Sequence, residues 1–217
     1  MIVRPTIEEY ARAHTSPPSP LLADVAALTA SETDVAEMMI GPIEGALLAM
    51  LVAMVRPRRI LEVGTFTGYS ALSMAEAMPD DCRIVTLELD PRHVELARRN
   101  IARSPYADRI DICQGPALET LSTLEGPFEL VFIDADKPSY IKLLAAAVPL
   151  LADRGVIAVD NALHFAITAD ANDATAIRAF NEHVAGRDDL IQVVLTVRAG
   201  LMLIRRARTD GSIPTAQ

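Results

Sequence analysis

The sequence predicts an α/β protein built on one mostly parallel sheet with helices on both faces. From residue 58 onward, short apolar stretches alternate with amphipathic ones, which is typical of parallel strands joined by helical crossovers. Charged residues, prolines or glycines border these apolar stretches. The last two, 190–197 and 201–206, are too close in sequence for a helical crossover, so we expect the last strand to run antiparallel.

The elements follow one another in a regular order. The first three helical stretches lie at 1–15, 21–38 and 41–55, with prolines in "SPPSP" separating the first two. Strands are predicted at 58–64, 83–90, 109–115, 128–134, 155–161, 190–197 and 201–206. Helices are predicted between them at 70–78, 91–104, 117–124, 139–151 and 173–186. We expect a single domain with a helical lid (1–38), a core (39–207) and a flexible tail (208–217).

Composition limits the possible partners of the chain. Its 217 residues are 51% hydrophobic, enough for one sizeable core, and its net charge of −9 argues against nucleic-acid binding. The longest apolar run, 45–55, is too short to span a bilayer and predicts a buried helix. Cys82 and Cys113 form no paired motif, and the N-terminus does not resemble a signal peptide. We therefore expect a cytoplasmic protein that binds neither nucleic acid nor membrane.

The stretch "LEVGTFTGYSAL" (61–72) leads from the first strand into a helix and indicates a nucleoside site. Gly64 and Gly68 allow close backbone approach to a ligand, but their spacing is not the G-x-G-x-x-G of dinucleotide sites. The Glu62 carboxylate would repel phosphate and attract an amino group or a sulfonium. Glu88 ends the second strand, where an acid commonly binds ribose hydroxyls. Together these residues favour S-adenosylmethionine over a simple strand–helix turn.

Two later strands end in oxygen-bearing side chains. Asp134 ends the fourth strand in "VFIDADKPSY", and Asp160 and Asn161 end the fifth in "GVIAVDN". Neighbouring parallel strands would bring these residues into one cleft, and two carboxylates with an amide oxygen suit Mg²⁺, Mn²⁺ or Ca²⁺. The alternative is structural, with a turn at Asp160-Asn161 and a helix cap at Asp134.

Lys137 stands beside these acids in a chain whose basic residues are otherwise almost all arginine. Arginine stays protonated, whereas lysine can accept and release a proton, which makes Lys137 the candidate base. Asp136, two residues beyond the strand, is expected to be solvated and receives no metal role. Lys142, the other lysine, is expected on the surface.

These motifs resemble the cation-dependent O-methyltransferases, the group that includes catechol and caffeoyl-CoA O-methyltransferases. The likeness covers roughly residues 38–206 and rests on "LEVGTFTGYSAL", "FIDADK" with Tyr140, "GVIAVDN" and "GLMLIRR". It implies a Rossmann-like seven-stranded sheet, a homodimer, metal ligands at Asp134, Asp160 and Asn161, and a catalytic base at Lys137. It places S-adenosylmethionine against Ile40, Glu62, Gly64, Thr65, Ser70, Glu88, Ala117 and Asp134.

Three positions depart from the family pattern. Ala199 replaces the usual aspartate before the last glycine, "DNALHFAIT" lacks a glycine after Asp160-Asn161, and Arg154-Gly155 replaces a glycine pair. They affect the acceptor and the nearby loops rather than the expected ligands.

The predicted reaction is methyl transfer to a catechol-like small aromatic, in bacterial secondary metabolism. The alternatives are a metal-independent methyltransferase, a nicotinamide-dependent oxidoreductase and a non-catalytic binding protein on the same fold.

Overall fold

The computed structural model describes residues 2–207, which contain one seven-stranded sheet. Its strands are β1 (Arg59–Val63), β2 (Arg83–Glu88), β3 (Ile110–Gln114), β4 (Phe128–Ile133), β5 (Leu151–Val159), β6 (Leu190–Leu195) and β7 (Leu201–Arg206). Their order across the sheet is β3-β2-β1-β4-β5-β7-β6. Strand β7 runs antiparallel to both β5 and β6, and the other pairs are parallel, which confirms the predicted fold class.

The helices before and between the strands follow the predicted order. They are α1 (Pro5–Ala13), α2 (Pro20–Glu32), α3 (Pro42–Val55), α4 (Tyr69–Ala75), α5 (Pro91–Ala102), α6 (Ala117–Thr123), α7 (Tyr140–Ala147) and α8 (Ala171–Ala185). Four of them start with a proline. The first N–H groups of a helix have no intrahelical acceptor, so a proline at this position costs no hydrogen bond. The Asp90 side chain caps α5 by accepting a hydrogen bond from the Arg92 N–H.

Several boundaries differ from the prediction; for example, α2 ends at Glu32 and a separate 3-10 turn covers Ala36–Met38, whereas one helix was predicted over 21–38. Helix α7 ends at Ala147 and strand β5 begins at Leu151, whereas the sequence pattern predicted a helix to 151 and a strand from 155. Pro149 lacks the N–H that a continuing helix requires, so a single 3-10 turn follows α7. The first part of β5 contains the exposed Asp153 and Arg154, and apolar patterning therefore missed it.

The sheet divides the core into two clusters because successive strand residues face opposite sides. In β1, Ile60 packs with residues of α3 and α4, while Leu61 and Val63 pack with residues of α7 and α8. The parallel strands are almost fully buried in their centres, as expected when helices cover both faces.

The apolar helix α3 belongs to this core. The stretch Ala36–Val55 is long and apolar enough to cross a membrane by length and composition, a test that core helices of globular proteins also pass. Leu48 and Val52 of α3 are fully buried, and α3 packs closely on α4: a Cβ added at Gly45 would lie 2.9 Å from Ser73 Oγ. These contacts support the prediction of a core helix.

The N-terminal segment contacts both ends of the predicted site. The Thr29 and Thr67 hydroxyl oxygens are 2.8 Å apart, which joins α2 to the glycine loop after β1. The Arg198 guanidinium donates a hydrogen bond to the Glu37 carbonyl oxygen (2.7 Å), which joins the β6–β7 connection to the same segment. The predicted flexible tail, 208–217, lies outside the described residues.

Candidate active site

The predicted site residues lie side by side at the carboxyl ends of neighbouring strands. Backbone hydrogen bonds fix this alignment: the Asp134 N–H donates to the Val63 carbonyl (2.8 Å), and the Asp160 N–H donates to the Ile133 carbonyl (2.9 Å). Strand β1 lies between β2 and β4, and the chain fills the sheet from β1 to β3 in one direction and from β4 onward in the other. Such a reversal of strand order opens a crevice in which α/β proteins bind ligands.

Gly64 is required where the first loop crosses this crevice. Its φ is +102°, and an added Cβ would lie 1.8 Å from the Asp134 carbonyl oxygen. Any side chain would therefore push the glycine loop away from the end of β4. The loop then turns into α4 at Gly68, whose φ is +88°.

Glu62 is a buried carboxylate at the end of β1. Thr86 Oγ1 donates to Glu62 Oε2 (2.5 Å), and the Thr65 hydroxyl lies 2.5 Å from the same threonine. Burial raises the pKa of Glu62 to about 8, against the opposing hydrogen bonds of Ser70 and Thr86. Glu62 Oε1 has no hydrogen-bond partner among the described residues. A cationic group of a ligand would satisfy it and favour the ionised form.

Glu88, at the end of β2, is held by backbone donors. Its carboxylate accepts hydrogen bonds from the N–H groups of Phe66 (2.7 Å), Leu89 (2.9 Å) and Asp90 (2.9 Å). These bonds fix the carboxylate beside the glycine loop. Asp90 itself caps α5.

The two remaining cofactor positions of the prediction lie at the margins. Ile40 is buried in the core just before α3, and Ala117 begins α6 after β3. The Gly115 N–H donates to the Glu88 carbonyl (2.9 Å), which places the start of α6 next to the end of β2.

Asp134, Asp160 and Asn161 come together as predicted at the ends of β4 and β5. Asp160 is 1% exposed, and burial followed by the charge of Asp134 raises its pKa to about 6. Asn161 Nδ2 donates to Asp160 Oδ2 (3.0 Å), and Asn161 has a left-handed backbone with φ of +64°. Among the described residues no three His, Cys, Asp or Glu side chains are close enough to hold one metal ion. The predicted set has two carboxylates and one amide, a donor set that fits a hard divalent cation.

Lys137 is held next to Asp134 by a full set of acceptors. Its Nζ donates to Asp134 Oδ1, the Ala135 carbonyl and the Tyr140 hydroxyl, each at 3.0 Å. An ammonium has three protons, so all three are used in this arrangement. Asp136 is exposed, in agreement with its predicted solvation.

The match with known proteins fits this geometry. A family model described as O-methyltransferase matches residues 12–207. The chain belongs to the O-methyltransferase family. This O-methyltransferase is 41% identical over 157 residues to a catechol O-methyltransferase of Mycobacterium tuberculosis, an alignment that covers 71% of each chain.

Solved structures of similar proteins share the fold of this O-methyltransferase over nearly its whole length. The SAH-bound methyltransferase PaMTH1 of Podospora anserina superposes with a TM-score of 0.86 at 26% identity, covering 94% of both chains. The O-methyltransferase TomG of Streptomyces achromogenes, solved in complex with SAM, superposes with a TM-score of 0.83 at 30% identity, covering 93% of this chain and 96% of its own.

Three residues of this O-methyltransferase site escaped the sequence reasoning. Tyr140 was used only as part of a motif, yet it is fully buried and contacts Lys137. Glu44 and Arg198 form an ion pair (3.5 Å), and Glu44 is buried near Asp160. For Glu44 the sequence did contain a signal, because this residue is the lone carboxylate in the otherwise apolar sequence of α3.

Proposed function

We propose that this O-methyltransferase transfers the methyl group of S-adenosylmethionine to one hydroxyl of a catechol-like aromatic and requires a divalent cation. The observation that carries the proposal is the meeting of Asp134, Asp160 and Asn161 at adjoining strand ends beside the Lys137 amine. Hard oxygen ligands of this kind suit Mg²⁺, Mn²⁺ or Ca²⁺. A cation with three protein ligands has free positions for two vicinal substrate oxygens.

The cofactor would lie across the ends of β1 and β2. Glu62 would hold the cationic amino end, because its Oε1 is buried and has no hydrogen-bond partner within residues 2–207. Glu88 would bind the ribose hydroxyls at the end of β2. Gly64 and Thr65 supply the loop between them, and the predicted contacts are completed by Ile40, Ser70, Ala117 and Asp134. SAM and SAH in the structurally similar proteins support this choice of cofactor.

The chemistry assigned to the chain is proton transfer and positioning. A divalent cation held by Asp134, Asp160 and Asn161 would supply positive charge that favours ionisation of the bound hydroxyl. Lys137 Nζ is the base that would accept the proton of that hydroxyl. Asp134 and Tyr140 keep the Lys137 amine at the site. Holding the acceptor oxygen against the methyl group would supply much of the remaining rate acceleration.

The test is a methylation screen with labelled S-adenosylmethionine. Catechols and hydroxylated aromatic acids are incubated with the protein in Mg²⁺, in EDTA, and in EDTA followed by excess Mg²⁺. We expect methyl incorporation that EDTA abolishes and excess Mg²⁺ restores. Full activity in EDTA would instead favour the second candidate, a metal-independent methyltransferase, which the comparisons permit equally.

We also propose that residues 1–38 act as a lid over the acceptor, with His164 and Phe165 at its edge. The Arg198 contact with the Glu37 carbonyl supports a position of this segment near the acid cluster.

We assign the acceptor to bacterial secondary metabolism, which is supported by the similarity to TomG, a protein described as involved in tomaymycin synthesis.

We further propose a cytoplasmic homodimer. Met50 and Met54 on α3 are 57% and 64% exposed, an apolar surface that a second copy would cover. Cys82 and Cys113 are free thiols, in keeping with a reducing compartment. Light scattering should give twice the chain mass of 23.4 kDa, and the mass of a single chain would refute the dimer.

A further inference from the structure

Glu44 is the buried polar group that the mechanism above does not use. It lies in the first turn of α3, is 1% exposed, and neither carboxylate oxygen has a hydrogen-bond partner among the described residues. Burying a carboxylate without hydrogen bonds costs several kcal/mol, roughly, so native proteins rarely leave one in this state. The Glu44 carboxylate therefore points to a partner that occupies the site when the protein works.

The surroundings of Glu44 identify the chemistry of that partner. The negative charges of Asp160 and Asp134 repel the Glu44 carboxylate, while Arg198 Nη1, 3.5 Å from Glu44 Oε2, and Lys137 Nζ, 3.0 Å from Asp134 Oδ1, oppose that repulsion. A partner that donates hydrogen bonds and carries positive charge would relieve both the missing bonds and the repulsion.

Arg198 is itself held in place. It adopts a left-handed backbone with φ of +48° in the β6–β7 connection, and its second nitrogen donates to the Glu37 carbonyl (2.7 Å). These contacts fix the guanidinium beside Glu44, where it balances the carboxylate charge. Arg198 and Lys137 together supply two positive charges against the three acids Glu44, Asp134 and Asp160.

Direct ligation by Glu44 does not fit the arrangement. Across residues 2–207 no three acids, cysteines or histidines are placed to share one ion, so Glu44 is not positioned as a third carboxylate ligand beside Asp134 and Asp160. A water molecule coordinated to the ion would bridge the gap, since it donates two hydrogen bonds and can reach a second layer of acceptors.

We propose, on the basis of the cation-dependent function above, that Glu44 is a positioning residue that accepts a hydrogen bond from a water in the coordination sphere of the cation. Through that bond and its contact with Asp160, Glu44 fixes the orientation of the Asp160 carboxylate. Arg198 is its counter-charge. The first turn of α3 thereby becomes part of the cation site.

The test measures Mn²⁺ binding by electron paramagnetic resonance, without substrate or turnover. Glu44→Gln keeps the shape of the side chain and removes its charge, and we expect the Mn²⁺ dissociation constant to rise about tenfold or more. Glu95→Gln removes one exposed carboxylate from α5 and should leave Mn²⁺ affinity unchanged. The cation-free Glu44→Gln protein should melt at the same or a higher temperature, because the variant removes a buried charge.

Two further measurements separate positioning from other roles. Glu44→Asp keeps the charge but shortens the side chain, so it should also weaken Mn²⁺ binding, whereas a general charge effect would leave it at the wild-type affinity. Line broadening in ¹⁷O-labelled water should give equal numbers of coordinated waters in wild type and Glu44→Gln. One additional water in the variant would make Glu44 a direct ligand and overturn the positioning role.

The outcomes distinguish this inference from the proposed function. Wild-type Mn²⁺ affinity in both Glu44 variants would overturn the role of Glu44 and leave the cation-dependent reaction intact. A wild-type protein that shows no saturable Mn²⁺ binding would refute the cation-dependent function, and the role of Glu44 with it. If Glu44→Gln does not fold, Glu44→Asp provides the same comparison with the charge retained.

Discussion

The two halves of the proposed site differ in what holds their acids in place. In the cofactor half (Glu62, Gly64, Thr65, Ser70 and Glu88), Glu88 accepts three backbone hydrogen bonds and threonine hydroxyls line one side of Glu62. In the proposed cation half (Asp134, Lys137, Asp160 and Asn161), the buried Asp160 lies beside the partly exposed Asp134, and burial followed by the charge of Asp134 raises the pKa of Asp160.

This difference indicates two strategies for holding a ligand. The cofactor half is largely organised by the fold itself, since backbone N–H groups of the glycine loop and of the β2–α5 turn fix Glu88. The cation half is an electrostatically incomplete arrangement whose stability should increase when a positive charge enters. Substitutions that affect one half and spare the other test this comparison directly.

The largest effect is expected for Lys137→Met. Loss of the proposed base should lower turnover by about 10²- to 10⁴-fold, the usual contribution of a general base. Cofactor and cation affinities should stay near wild type, because neither half loses a ligand. Single-turnover kinetics with labelled cofactor, alongside calorimetric binding, would measure both quantities.

Lys142→Met is the matched control for this variant. Lys142 is the only other lysine of the chain and is exposed on α7, so its removal should leave turnover unchanged. Retained turnover in Lys137→Met would show that another group or water takes the proton. A large loss of cofactor binding would assign Lys137 to the cofactor half.

The next largest effect is expected for Glu62→Gln, which affects the cofactor half. A charge-assisted hydrogen bond contributes about 1.5–3 kcal/mol, so the affinity for S-adenosylhomocysteine should fall roughly 10- to 100-fold. Glu129→Gln, at the opposite end of the sheet, is the control and should bind normally. Mn²⁺ binding should not change in either variant.

The pH dependence of cofactor affinity sharpens the same test. The pKa of Glu62 is raised to about 8 in the free protein, by burial first and also by the charges of Asp134 and Glu88. Below that pH the carboxyl must lose a proton before it can accept a cationic group, so wild-type affinity should rise with pH and level off near 8. Glu62→Gln should lose this rise, and an unchanged pH profile in the variant would refute the assignment.

Strand ends are readable from a linear pattern, so the sequence alone predicted that Glu62, Glu88, Asp134 and Asp160 would lie at one edge of the sheet. Once Val63, Ile133 and the end of β5 are recognised as strand ends, parallel pairing places Gly64, Asp134 and Asp160 side by side. Gly64 was predicted from its type, and its physical reason, the 1.8 Å approach to the Asp134 carbonyl, required the structure.

Residues that enter the site from helices and distant loops could not be predicted in this way. Glu44 comes from α3 and Arg198 from the β6–β7 connection, 154 positions apart in the chain (198 − 44), and no local pattern links them. The start of β5 was missed for a related reason. Its pairing with β4 depends on tertiary contacts rather than on apolar periodicity.

The smallest effect is expected for Tyr140→Phe, which removes one acceptor from Lys137 and nothing else. The Tyr140 ring is fully buried and packs edge-on against Phe180 at 5.4 Å between ring centroids, so phenylalanine fills the same space. Lys137 would keep Asp134 and the Ala135 carbonyl as acceptors. Losing one hydrogen bond of about 1 kcal/mol should lower kcat roughly fivefold, with KM and cofactor affinity unchanged.

A split between kcat and KM distinguishes positioning from stability in this variant. If Tyr140 only fills the core, Tyr140→Phe should leave kcat at the wild-type value, as Tyr106→Phe next to edge strand β3 is expected to do. If the hydroxyl orients Lys137, kcat falls while Mn²⁺ and cofactor binding persist, because both sets of ligands are intact.

In the background of Lys137→Met the tyrosine hydroxyl has no amine to orient, so the second substitution should then cost no further turnover. An additive loss in the double variant would mean that Tyr140 acts on the substrate or the cation half independently of the lysine.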